Sequence, residues 1–322
     1  MKRIAIIGAT GKVGREMLSI LHQRHIPADA IEVYASKRSS GTKLPYGRHT
    51  LEVKTLDETS FNTVDVALFS AGTAVSRAFA PIARERGVRV IDNSSAWRMN
   101  DGVPLVVPEI NADTIGEAPI IANPNCSTIQ SVIPLRIIEE IVPVKRVDYT
   151  TYQAVSGSGQ GGIEELERTL EEGSAQNYEK PIAHNVLPAI DAWQDGNTTK
   201  EELKMIDETR KILNSEIEVG ATCVRVPVMN AHAVSMRIEC SRPVDLEAVE
   251  AAFEAASPIK HWPAHTYPTP LDVDGDDAVH TGRLRLDRFN PAIVHVCVVA
   301  DYIRKGAALN AVQILFSQED KA

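Results

Sequence analysis

Up to residue 128 the apolar residues fall into short, nearly unbroken runs: Arg3 to Ile7, Ile31 to Ala35, Val64 to Phe69, Val88 to Ile91, Leu105 to Val107 and Ile120 to Ala122. Runs this short, without polar alternation, suit strands covered on both faces, and the stretches between them have helical spacing or loop composition. The pattern predicts a doubly wound, Rossmann-type parallel sheet over 1–128. From about Val147 the rhythm changes to longer alternating segments, Val147 to Ala154, Thr222 to Val228, Ala233 to Glu239 and Ala292 to Asp301. Helical patterns intervene near Gly162 to Glu171, Lys200 to Leu213 and Asp245 to Ala256, while Ser174 to Thr199, broken by Pro181, Pro188 and Gly196, reads as irregular. Such alternation predicts an α+β domain over 129–302, with a mainly antiparallel sheet and helices on one face. The alanine-rich stretch from Arg304 through Phe316 predicts a C-terminal helix, within 303–322, that completes the first domain.

The strand Arg3 to Ile7 runs into Gly8-Ala9-Thr10-Gly11-Lys12-Val13-Gly14 and then a helical pattern through Leu18 and Leu21. Strand, glycine turn and helix form the context of a phosphate-binding loop. Gly8 and Gly11 let the backbone turn and approach a pyrophosphate, Gly14 lets the helix pack close to the strand, and the helix N-terminus receives the anion. After the second strand comes Ser36-Lys37-Arg38-Ser39, with no acidic residue placed to hold a ribose 2′-hydroxyl. Arg38, with Ser36 and Ser39, suits a 2′-phosphate, so the expected cofactor is NADP; a solvated basic loop is the plain alternative. Ser70-Ala71-Gly72 and Asn93-Ser94-Ser95 follow two further strands at the carboxyl edge, where ligands bind in such sheets.

Asn123-Pro124-Asn125-Cys126-Ser127-Thr128 lies between the run Ile120 to Ala122 and a helical pattern starting near Ser127. This puts Cys126 at a helix N-terminus, where unpaired N–H groups and the helix dipole favour a thiolate over a thiol. A small buried apolar residue is the competing role, and it is the one that suits Cys223, Cys240 and Cys297 in their strand-like surroundings.

Charge and composition narrow the partners. Lys plus Arg number 34 against 43 Asp plus Glu, a net charge of −9, which argues against bulk attraction to nucleic acid or an anionic membrane; any anion must be held locally. Four cysteines without paired or metal-like spacing fit a reducing compartment and no zinc or other metal site. Met1-Lys2-Arg3 leads straight into a strand, so neither a signal peptide nor a membrane span is expected, and a cytoplasmic location is.

Taken together the motifs resemble those of the aspartate-β-semialdehyde dehydrogenase family. The matching strings are Gly8 to Gly11, Arg38-Ser39, Phe69 to Gly72, Val90 to Ser95, Val103 to Glu109, Asn123 to Thr128, Thr151 to Gly157, Arg225 to Val228 and Lys305 to Ala308, in family order over nearly the whole chain. The related N-acetyl-γ-glutamyl-phosphate reductases usually carry Gly-Cys-Tyr where this chain has Asn125-Cys126-Ser127. The resemblance implies an NADP-dependent homodimer interconverting L-aspartyl-4-phosphate and L-aspartate-4-semialdehyde plus phosphate, on the route to lysine, threonine and methionine. It implies Cys126 as nucleophile, Gln153 as the residue that positions the acyl group and His232 as general acid/base. Arg225 would hold the substrate carboxylate, Glu201 its ammonium, Arg98 and Lys204 the phosphate, and Asn125 would give an N–H to the developing oxyanion. The cofactor would meet Gly8, Thr10, Gly11, Lys12, Val13, Gly14, Ser36, Arg38, Ser39, Ser70, Ala71, Gly72, Ser156 and Gly157.

The residue types fit these roles, since a phosphate dianion needs cations and an α-carboxylate suits the arginine fork. Plainer roles exist: Glu201 and Lys204 have the spacing of a helical surface pair, and His232 that of a packed strand histidine. A histidine left unperturbed would titrate near 6.5, well placed for acid–base work. The chain departs from the family in two places, at three residues. Ala231 and Ala233 flank His232 where Gly and Ser are typical, and Tyr302 stands where an Asn usually touches the nicotinamide end. Two alternatives stay open: an acyl-phosphate reductase with another substrate, and a dinucleotide-binding paralogue without catalysis.

Overall fold

The structure, a computed structural model, describes residues 2–171 and 173–317. These residues form two compact units, one reaching Asn125 and resuming at Ala307, the other Cys126–Gly306.

In the first unit the chain runs β1 (Ile4–Ile7), α1 (Lys12–Gln23), β2 (Ile31–Ala35), a hairpin of β3 (Lys43–Tyr46) and β4 (His49–Glu52), β5 (Lys54–Thr55), β6 (Val66–Phe69), α2 (Thr73–Glu85), β7 (Arg89–Asp92), α3 (Pro108–Asn111) and β8 (Ile120–Ala122). The six-stranded sheet has order β5-β2-β1-β6-β7-β8 and is parallel throughout. Strand β1 follows the two-residue period: Ile4 and Ile6 enter one core with Met17 and Leu21 of α1, while Ala5 and Ile7 enter another with Ala80 and Ala83 of α2. The chain leaves β1 for β2 on one side and β6 on the other, so the crevice of such a sheet opens at the carboxyl ends of β1 and β6.

Leu105 to Val107 does not form the expected strand. Leu105 makes one parallel bridge to Ala122, and the Asn111 side chain takes over the backbone groups a ladder would use, accepting from Val107 N–H and donating to Leu105 C=O. The β3–β4 hairpin was not anticipated. Its signal is short, Leu44 and Tyr46 inward with Gly47 (φ 56°) at the turn.

The second unit runs α4 (Cys126–Ile141), β9 (Val144–Gln153), α5 (Gln160–Glu171), α6 (Lys200–Leu213), β10 (Glu218–Arg225), β11 (His232–Cys240), α7 (Leu246–Ala255), β12 (Ile259–His261), β13 (Val279–Leu286) and β14 (Ile293–Ala300). Its six strands are ordered β10-β9-β11-β14-β13-β12. The sheet is mainly antiparallel, as expected, with parallel pairs at its edges: β10–β9 and β12–β13 are parallel and the inner pairs antiparallel. Along β11 alternate residues His232, Val234, Met236, Ile238 and Cys240 are buried. Helix α4, buried nearly all round, packs on β9, β11 and β14, with α6 on β10 and α7 on β12 and β13. Strand β10 ends at Arg225, short of the expected Val228, because Pro227 has no N–H for a ladder. Neither β12 nor β13 was anticipated; Arg283 at φ 58° and a register shift interrupt the alternation of β13.

A π-turn over Arg304–Ala308 leads into α8 (Leu309–Phe316), whose Leu309, Val312 and Leu315 join Ile4, Met17 and Leu21 in the first unit's core. The expected helix 303–322 is seen to Phe316; residues 318–322 lie outside the described residues. The units divide at Asn125/Cys126 and Gly306/Ala307, where the sequence places the seams after 128 and 302, because α4 belongs to the second sheet from its first residue.

Candidate active site

At the end of β1 the Gly8 and Ala9 N–H groups both donate to Tyr34 C=O of β2. Gly8 has φ 90°, and a Cβ there would lie 2.5 Å from Ser70 O, while one at Gly14 would lie 2.4 Å from Gly8 O. No side chain can be added at either place. The backbone is therefore left as a bare cradle at the β1/β6 crevice. Gly11 precedes α1 and Gly72 precedes α2, neither helix being capped by a side chain, so two positive helix ends begin at this edge. Thr10 and Val13 are half-buried and Lys12 exposed; Ser70 and Ala71 are half-buried. Ser36 and Arg38 are exposed and Ser39 half-buried, on the turn that follows β2.

The acidic residue of β2, Glu32, is mid-strand and occupied. Burial alone would raise its pKa, but hydrogen bonds from Lys54, Tyr34 and Thr63 bring it down to about 2. It therefore does not stand in for a ribose ligand at the strand's end. Beyond β7, Arg98 is buried and gives Nε–H to Asn123 C=O at 2.9 Å and Nη2–H to Asn93 C=O at 2.8 Å. The Asn93 amide is buried, and neither its nitrogen nor its oxygen has a partner among the described residues. Asn125, also buried, ends this unit.

The other substrate-site candidates lie in the second unit. Gln153 ends β9, and the register puts it directly opposite both Arg225, the last residue of β10, and His232, the first of β11. Neighbouring strands are about 4.8 Å apart, so the three form one row across the sheet. Gln153 accepts from Thr151 Oγ1–H and donates Nε2–H to Glu201 at 3.0 Å. Glu201, buried, also pairs with Lys204 at 2.9 Å, and Lys204 reaches Asp191 at 2.8 Å. The Glu201–Lys204 pair anticipated from helical spacing is thus present, with Glu201 buried and Lys204 half-buried.

The peptide of Ala154 ties the row together. Its N–H donates to His232 Nδ1 at 3.0 Å, and its C=O accepts from Arg225 at 2.7 Å. Nδ1 also lies 3.1 Å from Ala231 C=O, but the Ala154 amide proton cannot relocate, so Nδ1 is assigned the lone pair and Nε2 the imidazole proton. Nε2 is buried with no hydrogen-bond partner among the described residues. Gly157 faces both side chains; a Cβ there would lie 3.0 Å from Arg225 Nη1 and 3.4 Å from His232 Nε2. Ser156 is buried and donates to Met229 C=O.

The expectation of an ordinary histidine pKa is corrected here. Burial first, and then the Arg225 charge, push His232 down to about 3, against the smaller opposing effects of the Ala231 carbonyl and Glu201. At neutral pH it is an uncharged Nε2–H donor. The Ala231 departure also has a place: Ala231 has φ 63°, a left-handed conformation that costs an L-residue roughly 1–2 kcal/mol and that glycine adopts freely. Tyr302 lies flat on the histidine, ring centroids 4.3 Å apart and planes within 6°.

Cys126 is the first residue of α4 and is half-buried, unlike Cys223 and Cys240, which are buried in strands. One turn further along α4, Gln130 donates to the His232 backbone carbonyl at 3.0 Å. The family model described as "Semialdehyde dehydrogenase, NAD binding domain" matches residues 3–118, and that of the "Semialdehyde dehydrogenase, dimerisation domain" matches 135–305. The chain belongs to the aspartate-semialdehyde dehydrogenase family. It is 46% identical to the enzyme of that name from Aquifex aeolicus, covering 97% of this chain and 96% of the other. The crystal structure of aspartate semialdehyde dehydrogenase II complexed with ASA from Vibrio cholerae superposes with a TM-score of 0.96 at 42% identity, over 99% and 98% of the two chains. The Candida albicans enzyme with NADP gives 0.79 at 25% identity, over 100% and 99%.

Against that family pattern, sequence reading missed Asp191 as partner of Lys204, Gln130 behind His232, and the Ala154 peptide. The first stands in a stretch without periodicity, and the others act through backbone contacts that no residue type announces. Among the described residues no helix is long and apolar enough to cross a membrane, and no cluster of His, Cys, Asp and Glu could hold a metal.

Proposed function

We propose that the protein is an NADP-dependent aspartate-semialdehyde dehydrogenase, interconverting L-aspartyl-4-phosphate and L-aspartate-4-semialdehyde plus phosphate on the route to lysine, threonine and methionine. The observation that carries this is the row Gln153, Arg225 and His232 on three adjacent strand ends, in a family whose Vibrio member is described as complexed with ASA. A buried arginine, a buried glutamate and an amide are what an amino acid with free carboxylate and ammonium groups requires.

In the reductive direction Cys126 thiolate attacks the acyl carbon of the substrate; the C–S bond forms as the C–O bond to phosphate breaks. Arg225 holds the α-carboxylate, Glu201 the ammonium, and Arg98 with Lys204 the phosphate, while Gln153 orients the acyl group. NADPH, held by the glycine cradle when bound, would supply the hydride that reduces the thioester. Asn125 N–H and His232 Nε2–H donate hydrogen bonds to the oxyanion that results, which re-forms the carbonyl as the C–S bond breaks and Cys126 leaves as thiolate. A histidine that stays neutral, with its proton on Nε2, suits this donor role. The glycine cradle fits a dinucleotide pyrophosphate, with Thr10, Lys12 and Val13 at the helix N-terminus and Ser70 to Gly72 across the crevice. Arg38 with Ser36 and Ser39 would take the 2′-phosphate, and Ser156 and Gly157 the nicotinamide end. The matched dimerisation domain supports a homodimer, and four free cysteines support a cytoplasmic one. The test follows reduced-nicotinamide absorbance with aspartate semialdehyde, phosphate and either NADP or NAD. Phosphate-dependent reduction of NADP is expected; no turnover of this aldehyde, or a preference for NAD, counts against the reading.

A further inference from the structure

Tyr302 lies two residues beyond Ala300, which pairs with His232 across β14 and β11. Its ring is buried and nearly parallel to the imidazole at 4.3 Å, closing one face of a side chain whose Nδ1 is held by Ala154 and whose backbone carbonyl is held by Gln130. The same residue borders the nucleophile. A Cβ placed on Gly306 would lie 3.0 Å from Cys126 Cβ and 3.2 Å from Tyr302 Cβ, so both side chains leave the backbone beside that glycine. The Ser156 hydroxyl stands beside the phenol.

From this geometry we infer that Tyr302 is a positioning residue, an aromatic plate that fixes the imidazole plane of His232 and keeps water off it, so that Nε2–H stays presented to the adduct on Cys126. The inference rests on the role proposed above for His232. The hydrogen bond at Nδ1 resists a ring flip, because Cδ2 could not accept from Ala154 N–H. It does not resist tilting, which the plate blocks. A non-planar or small side chain at 302 leaves room for water against the imidazole. Hydration favours the charged ring, whose other charged neighbours are Arg225 from β10, which opposes protonation, and Glu201 from α6, which favours it. Cys126 and Asp301 lie on the tyrosine's side.

The experiment compares Tyr302→Phe, Tyr302→Leu and Tyr302→Ala with the parent and His232→Asn, in turnover of aspartate semialdehyde with NADP and phosphate. Isotope-labelled histidine NMR of each variant reads the His232 tautomer and titration independently of activity. Leu and Ala are expected to lower kcat by about 10-fold or more with KM within about 3-fold, and to move the His232 titration up by about one pH unit or more. Phe, which keeps the plate, should restore both readouts to near parent values. If Leu and Ala leave kcat and titration at parent values, Tyr302 only fills space and the inference fails. If Phe falls as far as Ala, the hydroxyl is the acting group and the plate is again wrong. A melting curve identifies any variant that does not fold, and Leu with Phe then decides the matter without Ala. Loss of kcat in His232→Asn with no response at position 302 removes this inference alone. An unaffected His232→Asn removes the proposed role of His232 and this inference with it.

Discussion

At the residue scale the proposed reaction makes opposite demands on Cys126 and His232: one has to be available as an anion, the other neutral with its proton on one nitrogen. Cys126→Ser should keep the fold and NADP binding while losing nearly all turnover, since a hydroxyl without an activating base is a much poorer nucleophile; activity and a trapped covalent adduct in the parent are the measurements. His232→Asn should lower kcat by roughly 10²–10⁴ with a smaller change in KM. The histidine also leaves a mark on stability. Its folded pKa of about 3 lies below the unfolded value near 6.5, so between the two the unfolded chain binds more protons. Stability must therefore fall as pH drops below about 6.5, by up to ~1.4 kcal/mol per unit from this group alone. Urea unfolding at a series of pH values should show a shallower acid decline for His232→Asn than for the parent; equal slopes would mean that the ring is not buried neutral.

Elements place these residues. β1, β2 and β6 end side by side, and the close approach of backbone there requires Gly8 and Gly14. Gly14→Ala would put a Cβ 2.4 Å from Gly8 O, an overpacking typically costing about 1–3 kcal/mol, and should weaken NADP binding as α1 is pushed from β1. Denaturation midpoints and a cofactor titration together check it. At the end of β2, Arg38→Glu should weaken NADP by about 1.5–3 kcal/mol and spare NAD; equal losses for both would mean Arg38 is a solvated loop residue. The glycine turn was legible because strand, turn and helix are contiguous. The β3–β4 hairpin and β13 were not, since one is only a few residues long and the other is interrupted where Arg283 takes a positive φ.

On the scale of the whole molecule, two units built on different sheets come from one chain that crosses between them at Asn125/Cys126 and Gly306/Ala307. The outer face of the second sheet carries alternating charges, Arg146 with Asp148 and Glu218, and Arg237 with Asp148 and Glu239, all partly exposed. If the proposed homodimer forms, sedimentation at low micromolar concentration should return twice the 35.1 kDa chain mass. A monomer with full activity would remove dimerisation from the proposed function.

Residue order alone determined what depends on neighbours in the chain: the buried runs of the parallel sheet, the glycine turn entering α1, Cys126 at the start of α4, and the change of period that separates the two units. It also held, in string form, the motifs that place the chain in its family. Register belonged to the tertiary structure. That Gln153, Arg225 and His232 stand abreast follows from which strands pair and at what offset, a choice made by packing of side chains far apart in the chain. The depressed pKa of His232 was decided there too, because desolvation depends on what covers the ring, and part of that cover is Tyr302, 70 positions away in the sequence and 4.3 Å away in space.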